Sequence, residues 1–255
     1  MAGQVIVVFG GAGLIGRAIV EAIAEAGGLA VIASRSAGRR AIQTKMRGTS
    51  LRQGLVDSIR VDVTSPRSLE QALKTVHGRH GRITGIINCT LPKGPGYGRR
   101  FEDVAFDDFC HTVNAHLGGA FLVCQHAVRY FSAQGGGTIV NFASVYGFLP
   151  PRFEIYDGTN LTKEIEYVVS KAGIIQLTAY LGQYLKKTNI RINCISPGGV
   201  FDNQDPRFVE RYNRMCWSKG MLDPADIVGT VLFLLSDQSR HICGQNIVVD
   251  DGFSL

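Results

Sequence analysis

Apolar residues in this chain follow two alternating patterns. Short β-branched runs bounded by Gly, Pro, Asn or Ser read as buried parallel strands. Longer stretches with apolar positions three and four apart read as helices. The short runs are Gln4–Phe9, Leu29–Ala33, Ser58–Val61, Ile83–Ile87, Thr138–Phe142, Ile190–Ile195 and Ile247–Val249. The spacing between them predicts helices over Arg17–Ala26, from Ser65-Pro66 to His77, over Phe106–Phe131, from Tyr167 to about Lys187, and from Asp223-Pro224 to Leu235. The Phe106–Phe131 stretch reads as one long helix, with Phe109, Val113, Leu117, Phe121 and Val128 at helical spacing. A polar, basic helix is expected after the second strand. Strand–helix alternation of this kind predicts an α/β fold, a doubly wound parallel sheet of about seven strands with helices on both faces. No repeat or linker divides it, so residues 1–255 read as a single domain.

In such a sheet, residues just past the carboxyl ends of the strands share one crevice. The first strand runs directly into Gly10-Gly11-Ala12-Gly13-Leu14-Ile15-Gly16 and then a helix. Glycines there let backbone amides approach a pyrophosphate at a helix N-terminus, where the dipole is positive. Strand, glycine turn and helix form the context of a dinucleotide fingerprint, which makes the sheet Rossmann-type. An acid that binds ribose hydroxyls is expected at the end of the second strand. This chain has Ser34-Arg35 instead. No carboxylate stands there to repel a 2′-phosphate, and a guanidinium is placed to grip one. That favours NADP(H) over NAD(H). Asp62-Val63 ends the third strand, where an adenine ring would lie, and Asn88-Cys89-Thr90 ends the fourth. Leu91–Arg100 is rich in Gly and Pro and reads as an irregular loop beside the cofactor. Ser144 follows the fifth strand and Pro197-Gly198 the sixth.

Tyr167 and Lys171 stand four residues apart, on one face of a helix adjoining that crevice. A free phenol has a pKa near ~10 and is a poor base at neutral pH. A lysine ammonium beside it stabilises the phenolate and pulls that pKa toward the working range. The pair can then give a proton to a carbonyl oxygen or take one from an alcohol. Such pairs occur by chance in many helices; the position of this one gives it weight. Tyr146 and Tyr156 are rival acids, but neither has a Lys four residues later. His111, His116 and His126 share part of a helix without a carboxylate or thiolate at ligand spacing, so no metal is expected.

At 255 residues, 45% hydrophobic and 19% charged, the chain suits a globular protein with a large core and not a disordered one. No apolar run approaches the roughly 20 residues of a membrane span. Met1–Phe9 lacks the basic start and cleavage site of a signal peptide. The six cysteines are scattered with no CxxC pair, which reads as reduced thiols in a cytoplasmic protein. A net charge of +6 suggests an anionic ligand but falls short of a nucleic-acid-binding stripe. Much of the excess lies in Arg35, Arg39, Arg40, Lys45, Arg47, Arg52 and Arg60. Of these, only Arg35 is assigned to the site.

Gly10…Gly16, Asp62-Val63, Asn88, Asn114, Ile139-Val140-Asn141 with Ser144, Tyr167-x-x-x-Lys171, Pro197-Gly198 and Gly244-Gln245…Asp250-Asp251-Gly252 stand in order along the chain. In these motifs it resembles the short-chain dehydrogenase/reductase family over its whole length. The resemblance implies an NADP-dependent oxidoreductase that interconverts a secondary alcohol and a ketone, as a homo-oligomer, tetramer or dimer. It implies Tyr167 as acid/base, with Lys171 lowering its pKa and binding the nicotinamide ribose. Ser144 would orient the substrate oxygen, and Asn114 would hold a water that relays protons to Lys171. Around the cofactor it places Gly10, Gly13, Leu14, Ile15, Gly16, Ser34, Arg35, Asp62, Val63, Asn88, Tyr167, Lys171, Pro197, Gly198 and Val200.

The departures from that pattern are informative. Phe9 replaces the usual threonine, and Leu14 replaces the middle glycine. Gly13 gives a spacing common in the extended, sugar-nucleotide branch, and Asn88-Cys89-Thr90-Leu91 replaces Asn-Asn-Ala-Gly. The gap from Ser144 to Tyr167 is longer than usual. Its extra residues, around Pro151–Gly158, and the tail Val249–Leu255 resemble a bacterial branch linked to nonulosonic-acid and flagellin-sugar synthesis. Residues 149–162 and 200–220 are therefore expected to be substrate loops, the second mobile in character. They would close over a polar, phosphorylated or nucleotide-linked sugar, with Arg152 meeting an anionic group and Tyr156 packing on the ring. A sugar epimerase or dehydratase that recycles its nicotinamide, and a non-catalytic NADP(H) sensor, are the competing functions. The short C-terminal portion argues against the first, and the intact tetrad against the second.

Overall fold

The computed structural model describes residues 1–36 and 54–255. The basic helix expected after the second strand, with Arg39, Arg40, Lys45, Arg47 and Arg52, lies outside the described residues. The strands are β1 (Val5–Phe9), β2 (Leu29–Ser34), β3 (Val56–Arg60), β4 (Gly85–Asn88), β5 (Gly137–Phe142), β6 (Ile190–Pro197) and β7 (Asn246–Val249). They form one seven-stranded parallel sheet in the order β3-β2-β1-β4-β5-β6-β7, as the alternation predicts. The winding reverses between β2 and β4, which flank β1. That switch point is where a parallel sheet opens a crevice. The register brings the loops out at one level: Phe9 lies beside Ala33 and Asn88, and Asn88 beside Asn141.

Alternate side chains of each strand enter opposite layers. Ile6, Val8 and Ile32 pack with Ile19, Val20 and Ile23 of α1 (Leu14–Glu25), and with Ile227, Val231 and Leu234 of α7 (Pro224–Leu235). Val7, Phe9, Val31 and Ile139 pack with Leu69 and Val76 of α2 (Pro66–His80), and with Val123 and Phe131 of α4 (Gly119–Gln134). With both faces covered, the strands read as continuous apolar runs, each buried Val, Leu or Ile contributing about 1.5–3 kcal/mol.

Three expectations are corrected. The Phe106–Phe131 stretch is not one regular helix: α3 (Phe106–Val113) passes into a wide π turn at Asn114–Gly118 before α4 begins. The helix carrying Tyr167, α5, spans Ile165–Tyr184 and stops short of Lys187, whose φ of 65° is left-handed. The Val200–Gly220 segment contains α6 (Pro206–Asn213), capped by the Asp205 carboxylate, which accepts from the Arg207 amide at 2.9 Å. The rest of that segment is pinned by Asp251. Its carboxylate accepts from the amides of Ser218 at 3.1 Å, Lys219 at 2.6 Å and Gly220 at 2.7 Å, and from the Ser218 hydroxyl at 2.8 Å.

Candidate active site

A cavity of about 1050 Å³ opens at the carboxyl edge of the sheet. Its first wall is the glycine turn. Gly10 has a φ of +82°, and a Cβ there would lie 2.9 Å from the Cys89 carbonyl carbon. A Cβ on Gly16 would lie 2.3 Å from the Gly10 oxygen. Only glycine tolerates either position. Gly13 is the N-cap of α1, so the helix begins with no side-chain cap and no acid in its first turn. The orphan amides of Leu14, Ile15 and Gly16 are therefore left for a ligand at the positive end of the helix. Gly10, Gly13, Leu14, Ile15 and Gly16 all line the cavity.

Ser34, Arg35, Asp62 and Val63 continue this wall, and Pro197, Gly198 and Val200 lie along its far side. The Ser34 hydroxyl is buried without a hydrogen-bond partner among the described residues. The Thr64 amide and hydroxyl bond to the Asp62 carboxylate at 3.0 and 2.7 Å and, with a smaller contribution from Arg35, hold it below its ordinary range. Asn88 stands apart from the others. It is buried behind the wall, its Oδ1 accepting from the Thr90 hydroxyl at 2.8 Å, so Cys89 and Thr90 line the cavity in its place.

Ser144, Tyr167, Lys171 and Asn114 meet on one side of the cavity. Ser144 follows β5 and caps a 3₁₀ turn, Val145–Gly147, its Oγ accepting from the Tyr146 amide at 3.2 Å. That turn presses on α5: a Cβ on Gly147 would lie 2.9 Å from the Lys171 carbonyl. Lys171 is buried, and its Nζ donates to the Phe142 carbonyl at 2.7 Å and sits 5.4 Å from the Tyr167 ring centre. Asn114 enters the cavity because the π turn begins at it. His116, in the same turn, packs its ring 6.1 Å from that of Tyr167 and is held neutral, burial pushing its pKa down to about 3.

The expected lowering of the Tyr167 pKa is corrected. Burial pushes this phenol up to about 12, with the Ser144 hydroxyl pulling the other way. The same dry surroundings push Lys171 down to about 7. Desolvation disfavours the charged form of each and dominates both shifts. At neutral pH the phenol is therefore protonated, the form that can donate to a carbonyl oxygen.

On the substrate side, Tyr146 and Tyr156 line the cavity, and the Tyr156 hydroxyl donates to that of Tyr146 at 3.2 Å. Tyr156 packs on Phe208 of α6 at 5.0 Å between ring centres, and Ile155 is wholly buried. The 149–162 segment is thus part of the core as well as part of the mouth. Arg152 does not reach the cavity. It donates to the Leu255 carbonyl at 3.3 Å and lies over the Phe253 ring, because the C-terminal tail offers it an acceptor and a ring face.

Lys163 does reach it, and the sequence reading missed it. Its Nζ lies 4.2 Å from the Tyr167 ring centre and 3.4 Å from the Glu164 carboxylate. The available signal was its position four residues before Tyr167, the mirror of Lys171. Lys93 and Tyr97 of the Leu91–Arg100 loop also line this side.

A family model described as Enoyl-(Acyl carrier protein) reductase matches residues 10–254. The chain belongs to the short-chain dehydrogenase/reductase family. It is an NAD(P)-dependent oxidoreductase acting on CH–OH groups. It is 38% identical over 253 residues to post-translational flagellin modification protein A of Campylobacter coli, covering 99% of this chain and 98% of that protein. It is 29% identical to the 7alpha-hydroxysteroid dehydrogenase of Bacteroides fragilis, covering 99% of this chain and 95% of that one. Among solved structures, a short chain dehydrogenase from Leptospira borgpetersenii with bound NAD+ matches at a TM-score of 0.85 and 29% identity, covering 100% and 94% of the two chains.

Proposed function

We propose that the protein interconverts a secondary alcohol and a ketone on a polar, sugar-like substrate, with NADP(H) as cofactor. The observation that carries this reading is the meeting of Ser144, Tyr167, Lys171 and Asn114 at the mouth of a glycine-cradled cavity. The cavity fits a dinucleotide: its wall would clash with any Cβ at Gly16, and it holds uncapped helix amides along with the Ser34 hydroxyl, which has no partner among the described residues. When bound, the nicotinamide supplies or accepts the hydride. Tyr167 gives its phenolic proton to the carbonyl oxygen, or takes one from the alcohol. The Ser144 hydroxyl holds that oxygen beside the phenol. Lys171, near neutrality, returns the proton to Tyr167, and Asn114 positions a water behind it. Net NADPH oxidation with a keto sugar tests the reading against an epimerase, which leaves the cofactor level unchanged.

The sugar class is supported by the likeness to a flagellin modification protein. Free thiols at all six cysteines fit the reducing cytoplasm, and among the described residues no helix is long and apolar enough to cross a membrane.

Preference for NADP(H) rests on Ser34-Arg35 at the end of β2, against the NAD+ of the Leptospira structure. Arg35→Ala should weaken NADPH about tenfold or more, the range for losing a charged hydrogen bond, and leave NADH nearly unchanged. Fluorescence titration with both cofactors checks this. An unaltered ratio would assign the 2′-phosphate to other residues.

A homo-oligomer, tetramer by preference, is supported by the exposed rings of Phe106, Phe121, Tyr180 and Tyr184 on α3, α4 and α5. Apolar surface of this kind suits a symmetric pairing of helices. Sedimentation at micromolar concentration should give a multiple of 27.7 kDa. A monomer mass would refute the assembly.

A further inference from the structure

Lys163 is a second lysine at the acid/base, and the reaction as described does not use it. It stands four residues before Tyr167, as Lys171 stands four after. Its side chain is 20% exposed, and it lies at the substrate end of the cavity between two phenols. Its Nζ is 4.2 Å from the Tyr167 ring centre and 5.6 Å from that of Tyr146.

A sheltered ammonium needs countercharge and acceptors for three N–H donors. Glu164, 3.4 Å away, is its ion-pair partner among the described residues, and none of them donates a hydrogen bond to the facing oxygen, Oε2. Glu164 also acts on the Tyr97 phenol, whose pKa burial chiefly, and Glu164 after it, push up. A second ammonium, Lys93, lines the same end and lies close enough to act on Lys163. Burial chiefly, and Lys93 secondarily, push the Lys163 pKa down. This end of the cavity is thus lined by Lys93 and Lys163 with one carboxylate, Glu164, between their demands, while Glu166, which also acts on Tyr97, is buried and does not line it.

We propose that Lys163, assisted by Lys93, binds an oxyanion of the substrate, a carboxylate or a phosphate, and so sets the reacting carbon beside Tyr167. The inference rests on the oxidoreductase reading for its second half only. An anion at Lys163 gives its Nζ an acceptor that no described residue provides and gives Lys93 and Lys163 a second carboxylate or phosphate charge inside the cavity. Because Lys163 touches the Tyr167 ring, the anion lies within a few bonds of the reacting oxygen, which selects short keto acids and keto phosphates or compact acidic sugars.

Two matched pairs test it: acetoacetate against methyl acetoacetate, and dihydroxyacetone phosphate against dihydroxyacetone. Each is assayed for NADPH oxidation and, with the NADP⁺-loaded protein, by calorimetric titration. The wild type should favour at least one anion over its neutral partner by about tenfold or more, the effect of one sheltered charge pair. Whichever pair shows the preference distinguishes carboxylate from phosphate. In Lys163→Met the preference should fall toward one, and Lys163→Arg should restore much of it. NADPH binding confirms that each variant folds. Equal use and equal binding of anion and neutral partner by the wild type overturns the inference. So does an anion preference that survives in Lys163→Met. If an anion binds through Lys163 but no carbonyl oxidises NADPH, the oxidoreductase reading loses support while the anion site stands.

Discussion

Tyr167→Phe should turn over about 10²–10⁴-fold more slowly than the wild type, the usual cost of losing a positioned acid, and still bind NADPH nearly as well. The ring stays, so packing against His116 and Lys163 is kept. Only the hydroxyl beside Ser144 goes. The cofactor wall is built elsewhere, from the glycine turn and the end of β2. The sign of the pH dependence follows from the same residue. Burial holds the phenol protonated across the neutral range, with its pKa raised to about 12. Carbonyl reduction uses the protonated phenol, which is fully populated from pH 6 to 8, and should fall across that window only as Lys171, pushed down to about 7 by burial, loses the proton it returns. Alcohol oxidation uses the phenolate and should climb as pH rises. Steady-state rates in both directions check the assignment, and a Phe variant with near-parental kcat would remove Tyr167 from the role.

Gly16→Ala should weaken NADPH binding about tenfold or more and lower stability by about 1–3 kcal/mol, the range for forcing a methyl into packed structure. The added Cβ would lie 2.3 Å from the Gly10 oxygen and 2.7 Å from the Gly11 Cα. Both obstacles are backbone, so no side-chain rotation relieves them. The turn must move away from α1, which displaces the amides of Leu14 and Ile15 from the cavity wall. A cofactor titration alongside a thermal melt separates the two effects. Parental affinity together with a parental melting temperature would show that the turn has room the structure denies it.

The parts of the site that the sequence made legible are those written locally. β-branched runs mark fully buried strands, and a parallel sheet brings their carboxyl ends together. Gly16, Ser144 and Tyr167 therefore fall into one crevice once the strands are known. The π turn at Asn114 was hidden because one widened turn leaves the apolar spacing on either side intact. Lys163 was hidden for a related reason. Helical-face reasoning picks out Lys171, but α5 begins at Ile165, so Lys163 precedes the helix and approaches Tyr167 from an extended stretch. Arg152 and the Tyr167 pKa depend on tertiary facts, a distant carbonyl at Leu255 in one case and the dryness of the cavity in the other. Neither is encoded in spacing.

The C-terminal tail also constrains which stretches around the cavity can be exchanged independently. Phe253 stacks on Tyr212 at 4.1 Å between ring centres, meets the Tyr146 ring edge-on and lies under Arg152, while Asp251 fastens residues 218–220. Three stretches remote in sequence are thereby keyed to one another. A recombinant that inherits residues 149–162 from one relative and residues 200–220 from another would bring rings cut to different partners. Exchange of these stretches between relatives should therefore keep the fold intact only when all three travel as a set, with residues 250–255 as the matching key.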